Sequence, residues 1–231
     1  MTSTPSRPLL SVLVPVYNEE RTVVELLARL RAVDLPMEVI VVDDGSSDGT
    51  PGALAASDGI VLLRHERNRG KGAAIATALE RARGEVCIVQ DADLEYDPAD
   101  IPALYERYLA GGADAVYGSR VLLRGQRYSS LFFYWGGRLV SLVTSVLYGA
   151  SVTDEPTGYK LLGTDFLRSL GVSARGFDFC PQLTARILRR GGRIAEVPIR
   201  YEPRSWAEGK KITARDGLLA IWVLLRERFR P

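Results

Sequence analysis

The sequence predicts an α/β protein built on a mainly parallel sheet with helices on both faces. Five short apolar, β-branched runs recur through residues 1–120, with helical segments between them. These runs are near-continuously apolar rather than alternating, as expected for strands covered on both faces. The composition, 46% hydrophobic and 25% charged over 231 residues, suits one domain over 1–231 and excludes collagen-like, disordered and disulfide-stapled chains.

The first run, Leu9–Tyr17, is followed by an amphipathic stretch from Glu19 to Ala32. The second, Met37–Asp44, ends in the turn DGSSDG and a helix start. Ile60–His65 is a third strand and leads to an Ala-rich helix over Gly70–Arg83. Glu85–Asp93 and Ala113–Arg120 are the fourth and fifth. In such sheets ligands bind beyond the carboxyl ends of the strands. Polar clusters follow those ends here, at Asn18-Glu19, Asp43-Asp44, Asp91-Ala92-Asp93 and Ser119-Arg120.

From residue 121 the pattern changes. Two apolar helices are expected, over 128–149 and 213–229. The first approaches the ~20 residues that span a bilayer. Its Gly-Gly pair, its Ser and Thr residues and its central Arg138 suit a partly buried or interfacial helix better. Between the two lie a loop at Thr153–Lys160, a helix at Phe179–Arg190, a strand at Arg193–Tyr201 and the polar segment EPRSWAEGKKI.

The net charge of +2 conceals an asymmetry. Residues 1–115 carry 11 Lys and Arg against 19 Asp and Glu, and residues 116–231 carry 19 against 9. An acidic half beside a basic half suggests a cation on one side and an anionic partner on the other. The basic residues are spread along the chain, so a nucleic-acid partner is not expected. Cys87 and Cys180 lie far apart in apolar runs and read as buried thiols of a reducing compartment. MTSTPSRP lacks the apolar core of a secretion signal, and a cytoplasmic location is expected.

Asp91-Ala92-Asp93 is the sharpest motif. Two carboxylates one residue apart beyond a buried strand suit a hard divalent cation, Mg²⁺ or Mn²⁺, with Glu95 a possible third ligand. The alternative is a solvated acidic turn capping the helix that begins near Pro98. Asp43-Asp44-Gly45-Ser46 reads either as an Asx-type turn or, at Asp44, as a ligand for ribose hydroxyls or a base edge. Asp48 reads as a cap. Tyr17 stands where a base would lie. Asn68-Arg69-Gly70-Lys71-Gly72 lacks the Walker A spacing, which excludes that type of phosphate loop. Its glycines, Arg69 and Lys71 suit either an anion or close helix packing. His65, the sole histidine, reads as structural.

Taken together, PVYNE (Pro15–Glu19), VVDDGSSDGT (Val41–Thr50), NRGKG (Asn68–Gly72), QDADLEYDP (Gln90–Pro98), GSR (Gly118–Arg120), TDEPTGYK (Thr153–Lys160) and EVPIRYEPRSWAEGKKI (Glu196–Ile212) resemble the family 2 glycosyltransferases. The last two segments, with the apolar helix before them, look most like the dolichyl- or polyprenyl-phosphate mannosyl- and glucosyltransferases. The resemblance covers nearly the whole chain. It implies a GT-A fold, a GDP- or UDP-linked sugar donor, a divalent metal and inversion at the anomeric carbon. By position, 1–120 would be the nucleotide-sugar half and 121–231 the acceptor half. Pro15, Tyr17, Glu19, Val42 and Asp44 would line the nucleoside. Asp91, Ala92 and Asp93 would hold diphosphate and metal. In the mannosyltransferase relatives a Gln often stands where this chain has Glu95. Arg120 would meet the acceptor phosphate, and Arg204 with Lys210 or Lys211 would approach phosphates from the other side.

A lipid phosphate is already an anion and needs no strong base; a hydroxyl acceptor does, and Asp154 is the candidate, with a loop cap as its alternative role. Asp178 reads as a helix-start residue. C-terminal transmembrane helices of the kind many lipid-phosphate relatives carry are not expected here. The chain is therefore expected to work at a membrane surface through Leu131–Leu147 and the Trp222 helix, or with a membrane partner. Both helices serve equally well as core or homodimer elements, which keeps a soluble or polysaccharide hydroxyl acceptor open. A nucleotidyltransferase is disfavoured by the missing Gly-rich strand–loop start. A non-catalytic nucleotide-sugar-binding protein is disfavoured by the intact Asp91/Asp93, Arg120 and Asp154.

Overall fold

The computed structural model describes residues 10–126, 128, 130–204 and 213–230. Lys210 and Lys211 lie outside the described residues. Among the described residues seven strands form one sheet: β1 (Leu10–Val16), β2 (Met37–Asp43), β3 (Val61–Arg64), β4 (Val86–Val89), β5 (Ala115–Ser119), β6 (Lys160–Gly163) and β7 (Ile194–Pro198). Their order is β3-β2-β1-β4-β6-β5-β7. All pairings are parallel except those of β6, which runs antiparallel to both β4 and β5.

Among the described residues there are eight α-helices: α1 (Val23–Arg31), α2 (Thr50–Ala55), α3 (Lys71–Arg81), α4 (Ile101–Leu109), α5 (Leu131–Tyr148), α6 (Thr164–Leu170), α7 (Phe179–Arg189) and α8 (Ala214–Phe229). Alternate residues of the central strands feed two cores. Leu10, Val12, Val14 and Val16 of β1 pack with Leu26 and Leu30 of α1 and Leu104 of α4. Leu13, Ile40 and Val42 point the other way, onto Ala74 and Ile75 of α3, Leu167 of α6 and Leu183 of α7. A third cluster, centred on Val140, Ala185 and Leu224, joins α5, α7 and α8.

All five strands expected in the first half are present, with edges trimmed. β4 stops at Val89, because the chain turns to deliver Asp91 beyond the sheet. The amphipathic stretch from Glu19 becomes helical only at Val23, since Glu19 and Glu20 are spent on bonds to Thr50 and Asp48. α5 begins at Leu131, not at 128, because the Ser130 hydroxyl caps the Phe133 N–H at 3.3 Å. It ends at Tyr148, where Gly149 takes a left-handed conformation (φ 65°). β7 is shorter than Arg193–Tyr201 and closes at Pro198; Tyr201 makes only an isolated bridge to Tyr96. Asp178 stands at the start of α7. β6 and α6 are two elements that the sequence reading does not assign.

The antiparallel strand places the site. Because β6 runs against its neighbours, its first residue, Lys160, lies at the sheet edge where β1, β2, β4, β5 and β7 end. The loop 153–159 that feeds it therefore lands among the polar clusters at those ends.

Candidate active site

The walls of the cleft are stitched together by side chains bonded to backbone. The Asn18 N–H donates to Ser46 Oγ (2.9 Å) and the Ser47 N–H to Asn18 Oδ1 (2.9 Å), joining the ends of β1 and β2. Asp48 accepts the Thr50 N–H at 3.0 Å, as a turn cap does. Asp44 accepts the N–H groups of Arg69 (2.9 Å) and Gly70 (2.8 Å), and its Oδ1 lies 2.6 Å from His65 Nδ1. The other ring nitrogen of His65 meets Thr77 Oγ1 at 3.0 Å. Asp44 thus ties the NRGKG loop to β2, and both it and Val42 are buried. Gly70 adopts φ 96°, and a Cβ there would stand 2.3 Å from the Arg175 carbonyl oxygen, so close packing of α3 explains this glycine. Pro15 and Tyr17 are half-buried on the same side.

Beyond β4, carboxylates of the Asp91-Ala92-Asp93 turn carry cations supplied by the chain. Lys71 Nζ lies 2.6 and 2.8 Å from the two oxygens of Asp91. Burial works against the Lys71 charge, but Asp91 outweighs it and raises the amine above the ordinary lysine range. The Arg204 guanidinium bridges Asp93 Oδ2 (3.1 Å) and Glu19 (2.9 and 3.3 Å), while its Nε is buried with no acceptor among the described residues. Burial, with Asp91 and Glu95 adding to it, pushes the Asp93 carboxyl up against the opposing pull of Arg204. Glu95 is not gathered with the two aspartates: its Oε1 accepts the Arg204 backbone N–H at 2.8 Å. Among the described residues no three acidic, His or Cys side chains cluster to cage a metal. The two aspartates still fit a hard cation that takes the rest of its shell from water and phosphate. The buried donor set is short of positive charge even with Arg204 in place. Gly158 also lets the chain approach so closely that a Cβ there would stand 2.5 Å from Asp91 Oδ2. Ala92 is buried under the turn.

At the end of β5, Arg120 meets Asp154. Nε and Nη2 donate to the two carboxylate oxygens at 2.7 Å each, and the Arg120 backbone N–H adds a third bond at 2.9 Å. Burial favours the neutral acid, but Arg120 outweighs it and holds Asp154 below the usual carboxylate range. The Arg120 guanidinium also lies 5.0 Å from the Tyr201 ring. Beside it is a pocket lined by Arg120, Arg138, Tyr128, Phe133, Tyr134 and Tyr201. In the sequence Arg138 is the lone charge of an apolar segment. In the structure its Nη1 donates to the Thr153 carbonyl at 2.9 Å and lines the same pocket as Arg120. The signal for its role was the charge itself, on a helix otherwise free of charge.

The mostly parallel sheet with its helices is a GT-A fold. The chain belongs to glycosyl transferase family 2, whose family model matches residues 11–135. It is 33% identical over 241 residues to an undecaprenyl-phosphate mannosyltransferase of Micrococcus luteus, covering 94% of this chain and 97% of that protein. It is 32% identical over 203 residues to the low-salt glycan biosynthesis hexosyltransferase Agl6 of Haloferax volcanii, covering 85% of this chain. The chain spans about half the length of Agl6 (48%). Among solved structures, glucosyl-3-phosphoglycerate synthase of Mycobacterium tuberculosis bound to UDP superimposes with a TM-score of 0.77 at 23% identity, covering 97% of this chain and 81% of that one. The same enzyme with Mn²⁺, UDP and glucosyl-3-phosphoglycerate gives 0.74.

Asp154→Asn leaves Arg120 buried without its counter-charge, which costs about 3 kcal/mol and lowers Tm by roughly 6–12 °C. The folded pKa of Asp154 lies below its unfolded value of about 4. The contribution of the pair is therefore complete above that pH and lost as pH falls through the lower, folded value. Thermal melts from pH 2 to 7 check both points: the acid-limb loss attributable to this pair should be absent in the variant.

Proposed function

We propose that the protein is a metal-dependent inverting glycosyltransferase that moves a hexose, mannose or glucose, from a GDP- or UDP-linked donor to a polyprenyl phosphate. The observation that carries this reading is the state of Asp154. Both its oxygens are taken by Arg120 and its carboxyl is held low, so it is a poor general base for a hydroxyl acceptor. An acceptor that already bears negative charge needs no base, and Arg120 with Arg138 would receive such an anion in an aromatic-walled pocket. The full-length similarity to an undecaprenyl-phosphate mannosyltransferase supports the same acceptor.

On this reading Pro15, Tyr17, Glu19, Val42 and Asp44 line the nucleoside, and Asp91 and Asp93 hold Mg²⁺ or Mn²⁺. The metal, when bound, would neutralise charge developing on the leaving diphosphate. Lys71 stays beside Asp91 and lends its charge to the same group. Arg204, held between Glu19 and Asp93, would approach the phosphates from the other side. Arg120 and Arg138 orient an acceptor oxygen toward the anomeric carbon. That oxygen forms the new bond as the bond to the diphosphate breaks on the opposite face.

A membrane-surface role rests on α5 and α8. α5 is the one helix, among the described residues, long and apolar enough to cross a bilayer. It also packs on α7 and α8 through Val140 and its neighbours. Leu131, Trp135, Leu139, Leu142 and Val146 are exposed at helical spacing along it, as are Leu218, Trp222, Leu225 and Phe229 along α8. Arg226, Arg228 and Arg230 stand at the end of α8, suited to anionic headgroups.

Transfer from labelled UDP- and GDP-hexoses should appear on a short polyprenyl phosphate and not on the matching polyprenol. It should be lost with EDTA and fall at least ~100-fold in Asp93→Ala. Product on the alcohol or on a soluble hydroxyl acceptor would overturn the phosphate reading. Arg204 and a divalent ion compete for Asp93, so removing the guanidinium should favour the metal by about 1 kcal/mol. Arg204→Ala is thus expected to bind Mn²⁺ about fivefold more tightly without nucleotide, measured by calorimetry; equal or weaker binding would take Asp93 out of the metal site. Vesicles containing anionic lipid should sediment the protein, and Trp135→Glu with Leu142→Glu should release it. Retention by the double variant, or its conversion from dimer to monomer in sedimentation velocity, would assign this face to another role.

A further inference from the structure

Glu196 is used by none of the roles described so far. It lies on β7, the edge strand, opposite Tyr117 of β5. Among the described residues no Lys or Arg side chain pairs with it; its carboxylate is committed to backbone. Oε1 accepts the N–H groups of Thr153 and Asp154, each at 3.0 Å, and Oε2 accepts the Thr153 N–H at 2.8 Å. On the other side of the same turn, the fully buried Lys160 donates from Nζ to the Glu155 carbonyl at 2.7 Å. The turn is therefore held between an anion that takes the N–H groups of residues 153 and 154 and a cation that takes the carbonyl of residue 155. Charged partners of this kind form the stronger class of hydrogen bond.

Both pocket arginines hang from this turn. The Asp154 side chain takes Arg120 in a bidentate grip, and the Thr153 carbonyl takes Arg138 Nη1 at 2.9 Å. A shift of the turn therefore moves both guanidinium groups at once. Glu196 touches neither of them, so any effect it has on them passes through residues 153 and 154.

We propose that Glu196 is a positioning residue for the acceptor anion, setting the spacing of Arg120 and Arg138 through the Thr153–Asp154 backbone. This rests on the acceptor reading above. Glu196→Gln keeps the shape but replaces one accepting oxygen by an NH₂ group that faces the Thr153 and Asp154 N–H donors. The loss should appear in acceptor recognition and not in the donor half of the cleft.

The test is steady-state transfer to a short polyprenyl phosphate, with calorimetric titration of the nucleotide donor alongside. Glu196→Gln should raise the acceptor KM about tenfold, change kcat less than threefold and leave the donor Kd unaltered. Glu196→Asp, which keeps the charge one methylene short, should raise KM by a smaller factor and keeps the test available if the Gln variant fails to fold. Arg120→Ala should raise acceptor KM strongly, and adding Glu196→Gln to it should cost less than threefold more. A full second tenfold loss in that background, or a rise in donor Kd matching the rise in acceptor KM, would mark Glu196 as a general structural residue and overturn the proposal. A strong Arg120 effect beside silent Glu196 variants removes the proposal alone. A silent Arg120→Ala removes the acceptor reading and the proposal with it.

Discussion

Buried negative charge at the carboxyl edge of the sheet is the constraint around which the cleft is arranged. Glu19, Asp91, Asp93 and Asp154 all stand there with little water around them, and an uncompensated buried carboxylate is expensive. Each is met by a cation drawn from elsewhere in the chain: Arg204 for Glu19 and Asp93, Lys71 for Asp91, Arg120 for Asp154. Two of these cations, Arg120 and Arg204, come from the basic second half. Only Arg204 crosses between the halves, pairing with Glu19 and Asp93 of the acidic first half, while Lys71–Asp91 lies within the first half and Arg120–Asp154 within the second.

The antiparallel strand makes this meeting geometrically available. A purely parallel continuation would carry the chain away from the edge where β4 and β5 end. β6 instead brings the 153–159 loop to that edge, with Tyr159 stacked on Tyr96 at 4.9 Å and the Gly158 N–H bonded to Tyr96 Oη at 3.1 Å. The tight approach at Gly158 then sets the loop directly against Asp91. Beneath it the Lys160–Glu155 pair, 3.9 Å apart, is fully buried. Burial raises the Glu155 carboxyl and lowers the Lys160 amine, so attraction between them does not offset their desolvation. Such a pair is weak evidence of stability. Its hydrogen bond to the Glu155 carbonyl fixes a backbone position instead.

How much of this was legible follows from the kind of signal each part carries. The parallel strands were visible because Val12–Val16 or Val39–Val42 are apolar on both faces. The positions of Asp91, Asp93 and Arg120 followed from their place after such runs. β6 was hidden because it has only four residues, Lys160–Gly163, and opens with a lysine whose burial only tertiary structure can explain. The link between Arg120 and Asp154, which lie 34 residues apart, is a contact between loops and leaves no periodic trace. Glu196 looked like any polar residue in a half-exposed strand. The partners of His65, Asp44 and Thr77, lie 21 and 12 residues away and needed the fold to be seen.

α5 shows how the two halves of the proposed function can be served by one element. Phe133, Tyr134, Gly137 and Arg138 line the pocket beside Arg120, at spacings that return to one side of a helix. Leu131, Trp135, Leu139, Leu142 and Val146 recur at steps of three and four along another side and are left open. A helix that lay in a membrane interface on its open side would present its pocket side at the level of lipid headgroups. A lipid phosphate would then reach Arg120 and Arg138 without leaving the interface, its chain remaining among apolar side chains while only the charged end enters the cleft. A freely diffusing hydroxyl acceptor would draw no benefit from such a stripe. On that arrangement, Arg138 on the inner side of an otherwise uncharged helix would be the feature that couples the pocket to the surface.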